Sequence, residues 1–238
     1  MARAQLLTAR TFLLHGLLAG LVAGLLGFAV ASAVGEPPLA SAIALEGSHG
    51  GGADVVSRST QSTWGLLTGT LAIALALGGL VALGAAGAMG RLGRLRPSQS
   101  TALVAVTGFV AAALVPFLKY PSLPPGVGSG DTIDERTEAY FAFLLISVVA
   151  AAIAVAVAGR LWHSRGTYVA TLAGAAGYLV VVVLAASVLP AAQPLDDFPA
   201  DTLWSFRLGS LATLAAVWAV IGIVLSGLVG KRELAATL

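Results

Sequence analysis

The sequence contains no cysteine. That excludes disulfides, thiolate metal centres and cysteine nucleophiles, and it leaves the redox compartment unassigned. Charge is almost as scarce: 10% of the 238 residues are Asp, Glu, Lys or Arg, while 58% are hydrophobic and the mean hydropathy is +0.93. A soluble domain of this composition lacks the polar surface to cover itself, so lipid must supply part of the solvent. Lysine occurs twice against eleven arginines, and with heavy use of Ala and Gly this is the composition of a high-GC bacterial gene. No basic stripe with interleaved aromatics exists, so the net charge of +2 and the pI near 9.3 do not signify nucleic acid. There is no Walker phosphate loop, no Gly-x-Ser-x-Gly and no His-Glu-x-x-His within an apolar run. Nucleotide hydrolysis and intramembrane hydrolysis therefore have no visible machinery, and neither an enzyme nor a tightly bound cofactor is expected. Carboxylates are also missing at bilayer depth, which leaves a midplane ion site without ligands.

What the chain does have is six apolar stretches, 11–34, 63–90, 101–118, 139–158, 167–189 and 203–230. Each approaches or exceeds the roughly twenty residues that a helix needs to cross a bilayer. The polar segments between them alternate in sign. The N-terminus and segments 91–100, 159–166 and 231–238 hold Arg3, Arg10, Arg91, Arg94, Arg96, Arg160, Arg165, Lys231 and Arg232 against Glu233 alone. The other segments hold ten acids, with only Arg58, Lys119, Arg136 and Arg207 as bases. Basic loops resist translocation, so the basic side is expected in the cytoplasm with both termini, and the acidic side outside. The expectation is an all-α polytopic protein of the bacterial inner membrane, a single transmembrane domain over 1–238, built as three helical hairpins that open outward. Its immediate partner is membrane lipid, and a homo-oligomer is compatible with it.

Aromatic anchors support these boundaries, with Trp64, Tyr120, Tyr140 and Trp204 outside and Trp162 and Tyr168 inside. A rival reading of 11–34 as a cleaved signal peptide rests on Arg3, Arg10 and the small residues of Ala29-Val30-Ala31-Ser32-Ala33. That apolar run is longer than a signal core and its glycines recur every four residues, so a retained helix is expected. The external segments are then 35–62, 119–138 and 190–202. The first carries Gly-Ser-His-Gly-Gly-Gly (47–52), a flexible composition, and the second three prolines in 120–126, which favour an extended path. Each returning helix opens on a threonine with an aromatic four residues on: Thr60 and Trp64, Thr137 and Phe141, Thr202 and Phe206. Either threefold internal repetition or shared helix-start physics, with Thr as N-cap, accounts for the pattern.

Four groups of residues are candidates for function. Gly16, Gly20 and Gly24 share one face of the first helix, and Gly65 and Gly69 do the same on the second. Such faces let helices approach closely, either within the bundle or to seat a separate single-span partner. His15 precedes the glycine face and is either a metal ligand or proton carrier, or an interfacial histidine reaching water. Glu36, Glu46, His49 and Asp54 fall within nineteen residues on the first external segment. Imidazole with carboxylates suits Co(II), Ni(II) or Zn(II), but without a second histidine the set also reads as a loose cation-collecting surface. Lys119 and Arg207 lie on the acidic side, where Glu36, Glu138 or Asp201 are candidate ion-pair partners. Alternatively, Arg207 gates the outer mouth.

Three stretches carry a resemblance: Ala-x-x-Val-Gly-Glu-Pro-Pro (31–38) at the end of the glycine-bearing first helix, Ser-Arg-Ser-Thr-Gln-Ser-Thr-Trp-Gly-Leu-Leu-Thr-Gly (57–69) and Val-Pro-Phe-Leu-Lys-Tyr-Pro (115–121). In these the chain resembles the CbtA family, described as predicted cobalt transporter subunits. The resemblance implies Co(II) as the transported ion, a link to cobalamin biosynthesis, and a small single-span CbtB partner with a histidine-rich tail. Members commonly carry several histidines in the first external loop, where this chain has His49. The competing class is a non-transporting membrane scaffold, or an accessory subunit of another complex, assembled through the same glycine faces.

Overall fold

The computed structural model describes residues 8–46, 56–93, 95–125, 127, 133–192 and 198–235. Within them the fold is all helical. The helices are α1 (9–46), α2 (Arg58–Ala88), α3 (Pro97–Lys119), α4 (Ile133–Val188) and α5 (Ala200–Ala235), five helices long and apolar enough to cross a membrane. The six expected spans fall on five helical runs because the fourth and fifth are two helices joined within one run of 56 residues at Gly166, with φ 76° and ψ 166°. Positive φ is open to glycine at little steric cost, and here it turns the chain back on itself. A straight helix of 56 residues would be about 84 Å long. Instead the Ser147 and Tyr178 hydroxyls are 2.9 Å apart, and Gly174 lies against the Ala154 carbonyl, so the two legs of α4 pack side by side.

The helices are longer than the apolar runs predict, and the extra turns lie mostly at the acidic end. α1 continues beyond Val34 through Pro37 and Pro38 to Glu46, where a loop was expected. Proline cannot donate to the carbonyl four residues back, and a wide turn over Ala31–Gly35 absorbs the defect, with the Glu36 N–H bonding five residues back to Ala31. Pro116 has the same effect in α3, where Val115 N–H reaches Val110 across the wide turn Val110–Leu114. α2, α4 and α5 begin at Arg58, Ile133 and Ala200, so Thr60, Thr137 and Thr202 lie inside helices and cap none of them. Ser57 is the N-cap of α2, and its hydroxyl accepts from the Thr60 N–H.

The buried core is shared by α1, α2, α3 and α5, and its clustered residues include Phe12, Ala74, Ala105, Trp218, Ile221 and Leu225, with none from α4. With lipid on the outside the hydrophobic effect gives little drive for helices to associate, so close approach at small residues has to hold them. α1 and α2 run antiparallel with Gly16 and Gly20 against Gly78; a Cβ on Gly78 would stand 2.9 Å from the Gly20 nitrogen. Gly24 follows against Leu71, at 2.9 Å from a built Cβ to its Cα. Gly27 meets Val217 of α5, Gly209 meets Gly35, and Gly108 of α3 makes room for the Trp218 ring. α4 joins this four-helix unit chiefly along the second half of α3, where the Ser147 hydroxyl donates to the Ala111 carbonyl at 2.7 Å. Ala111 lies in the wide turn of α3, so the hydroxyl serves a carbonyl in a stretch of irregular helix.

Charge sorts to the two ends of the bundle. At the basic end, Gly159 approaches the Arg91 carbonyl and Gly93 lies near Trp162, which brings 91–93 beside 159–162. Glu233, the single acid of this end, accepts from Ser98 N–H at 2.8 Å and from the Ser98 hydroxyl at 3.1 Å, so it caps the positive N-terminus of α3. The opposite end carries Glu36 after the wide turn of α1, Asp134, Glu135 and Glu138 in the first two turns of α4, and Asp201 in the first turn of α5.

Candidate functional site

The acidic end is built where the wide turn of α1 delivers Glu36 beside the first turn of α2. There Arg58 donates through Nη2 to Glu36 Oε2, forming the only ion pair among the described residues. The pair is largely withdrawn from solvent, the side chains being 16% and 32% exposed. Glu36 is therefore a neutralised carboxylate, not an open ligand, and Arg58 is its partner instead of the Lys119 or Arg207 that the sequence suggested. Glu46 is the last residue of α1, while His49 and Asp54 lie outside the described residues. Among the described residues no three of His, Asp and Glu converge as a metal-binding group.

Lys119, at the end of α3, donates to the Ala186 carbonyl at 2.8 Å and to that of Leu189 at 3.4 Å. These are carbonyls at the C-terminus of α4, left without helical donors, and an ammonium there also complements the helix dipole. The Tyr120 hydroxyl repeats the tie one residue on, donating to the Pro190 carbonyl at 2.7 Å. Burial raises the Tyr120 phenol above its ordinary pKa, which keeps it a donor. Lys119 thus bonds carbonyls and not the expected carboxylates, and its role is to clip the end of α4 to α3. Glu138, in the second turn of α4, and Asp201, in the first turn of α5, are exposed, with no ion-pair partner among the described residues. Arg207 is half buried; its Nε is shut from solvent and makes no hydrogen bond. It borders a cavity of about 350 Å³ at this end, together with Tyr120, Glu135, Arg136 and Tyr140.

His15 is at the other end of α1, half buried, with Nδ1 shielded and without a hydrogen bond. Among the described residues it belongs to no group of three or more possible metal ligands. Of the glycines, Gly16, Gly20 and Gly24 are buried against α2 inside the bundle. Gly65 and Gly69 do not pack: both are exposed, and a Cβ on Gly69 would have nothing within 4 Å. Helix phase explains the correction. Gly69 precedes Gly78 by nine residues, two and a half turns, which puts it about 180° away from the face that meets α1. Sequence reasoning missed Gly78 and Arg58. The signals were present, since Gly78 and Ala82 repeat the four-residue spacing and Arg58 is one of only four bases on the acidic side.

No curated protein and no solved structure matches the chain. A family model does, that of the probable cobalt transporter subunit CbtA, over residues 9–230. The match runs from the start of α1 into the last turns of α5, stopping before Lys231, Arg232 and Glu233. The chain is a membrane protein that belongs to the CbtA family of probable cobalt transporter subunits.

Proposed function

We propose that this chain is the membrane-embedded subunit through which Co(II) enters a bacterium across the inner membrane, with both termini in the cytoplasm. In this reading each leg of α4 crosses the bilayer, giving six crossings arranged as three hairpins that open outward, and the acidic end faces the exterior. The observation that carries the reading is the family match over 222 residues (9 to 230), joined to the segregation of charge between the two ends. Opposite charges at opposite ends orient the bundle by the positive-inside bias, and the acidic end raises the local concentration of cations.

Glu46, His49 and Asp54 would gather the ion on the first external segment, with Glu36 held in reserve by Arg58 until an arriving cation competes for its carboxylate. His15 is a candidate for the last contact on the cytoplasmic side. A small single-span CbtB-like subunit with a histidine-rich tail is the expected partner, supplying imidazoles that this chain lacks. Self-association through α4 is compatible with the same reading, because that helix leaves much of its apolar surface uncovered. Uptake of radioactive cobalt by cells with and without the chain tests the proposal. Uptake should fall to the background of untransformed cells when the chain is deleted and return with the wild-type gene; unchanged uptake at submicromolar cobalt would overturn it.

A further inference from the structure

We propose that the cavity between α3 and the two legs of α4 holds one acyl chain of an anionic phospholipid, whose headgroup lies at the basic end. The backbones of α3 and α4 approach closely over 110–119 and much less over Pro97–Phe109. A cavity of about 270 Å³ fills the gap so left. Ala151, Val155 and Ala158 of the first leg form its back wall and are buried or half buried, whereas Leu103 and Val106 of α3 and Thr171 and Ala175 of the second leg flank it and are exposed. It therefore opens sideways, between α3 and the second leg, onto the surface that meets lipid. Leu92 and Trp162 line its basic end, and at depth it stops at Ala111 and Tyr178, which are tied together through the Ser147 hydroxyl.

Length and polarity select the occupant. On the first leg the lining runs from Ala151 to Trp162, about 16 Å of helix. That is about half of a hydrocarbon core of about 30 Å. Whatever fills the cavity enters from one surface and ends near the midplane, as an acyl chain does and a spanning helix does not. Water finds few partners there, because the Thr171 hydroxyl donates to the Thr167 carbonyl at 2.9 Å and the Tyr178 hydroxyl is paired with Ser147 at 2.9 Å. Cavities without free polar groups stay dry and accept apolar guests. The mouth selects the headgroup. Leu92 and Gly159 line it, and their chain neighbours Arg91 and Arg160 are exposed. The segments of the basic side hold nine Arg and Lys residues with Glu233 as their only acid, and Glu233 is taken up by Ser98. The sign of the charge at the mouth thus does not depend on how any one guanidinium is paired; Arg91 also donates to the Gly87 carbonyl. Basic rims between membrane helices attract anionic lipid headgroups.

Trp162 reports on the site, since bromine on an acyl chain quenches an indole it touches, and the difference between wild type and Trp162→Phe isolates this ring among the four tryptophans. The full-length chain is reconstituted in phosphatidylcholine vesicles, into which phosphatidylglycerol or phosphatidylcholine with brominated acyl chains is titrated. Quenching of Trp162 should saturate at a low fraction of brominated phosphatidylglycerol and rise only in proportion to brominated phosphatidylcholine. Ala175→Phe, which narrows the opening, should weaken the saturable component about tenfold, about 1.4 kcal/mol. Thr171→Phe narrows it from the adjacent turn and stands in should the first variant not fold by circular dichroism. The double variant Arg91→Gln, Arg160→Gln should reduce phosphatidylglycerol to the proportional quenching of phosphatidylcholine. Proportional quenching by both lipids in wild type, equal saturation by both, or saturation by phosphatidylglycerol unchanged in a folded Phe variant or in the double arginine variant overturns the proposal. Cobalt is absent from this experiment, so the lipid site and the uptake reading stand or fall separately.

Discussion

Arg58 and Glu36, 22 residues apart in sequence, meet where the first two helices leave the bundle at the acidic end. Each is the other's sole ionic partner among the described residues, and both are mostly shielded from solvent. Removing one partner leaves a desolvated charge, whereas removing both does not. Arg58→Gln and Glu36→Gln should each lower the midpoint of thermal unfolding in detergent, and the double variant should recover part of the loss. The expected coupling is about 1 kcal/mol, at the upper edge of the range for exposed pairs. Strictly additive single-variant effects would show that the pair contributes nothing.

The absence of cysteine makes the orientation directly measurable, since single cysteines can be introduced without background. Cysteines at Ser57, Pro121 and Pro199 should react with an impermeant maleimide in intact cells. Cysteines at Arg91 and Ser164 should react only after permeabilisation. Labelling of the Arg91 position in intact cells would invert the assignment.

Gly20→Leu should prevent α1 from meeting α2, because even a Cβ would come within 2.8 Å of the Leu75 Cα. Overpacking of this kind costs about 1–3 kcal/mol or more, and lost membrane abundance is the expected outcome. Gly69→Leu is the matched control, since its side chain meets open space, and its abundance should stay at the wild-type level. Equal abundance of the two variants would contradict the α1–α2 register.

His49 separates gathering from coordination. If the acidic face only concentrates cations, His49→Ala leaves cobalt uptake nearly unchanged, and added salt weakens it by screening over about 8 Å at physiological ionic strength. We expect this outcome, because one histidine in a glycine-rich segment loses considerable chain entropy in organising a site. A cobalt-selective loss of about tenfold, about 1.4 kcal/mol, with Mg(II) spared would establish a coordination shell instead.

The apolar runs marked each of the five membrane-length helices, since they follow from the solvent and hardly depend on tertiary detail. Helix ends were less legible. Leucine and valine mark hydrocarbon depth, but a helix stops where its backbone loses donors, and α1 carries on through Pro37 and Pro38 by widening one turn at Ala31–Gly35. The Gly16, Gly20 and Gly24 face was visible as a period. Its counterpart was not, because choosing Gly78 over Gly69 requires the rotational phase of α2, and either glycine satisfies a spacing rule. The ends of Lys119 and Arg58 were hidden for a related reason. A charge in a sequence announces that it needs a partner, but Lys119 found one in the carbonyls of Ala186 and Leu189, which any residue could have supplied.

The place of α4 in the chain constrains how the protein is made. The core draws on α1, α2, α3 and α5, yet α4 is synthesised between its third and fourth members. While the ribosome is still translating α4, Gly27, Gly35 and Gly108 wait without the helix that fills their faces. The fifth helix is the keystone: it closes against α1 and α3 at once, and Glu233 near its end locks onto Ser98. Nascent chains arrested before about residue 217 should accordingly remain an incomplete sheaf, open to quality-control proteases, however well their individual helices have been inserted.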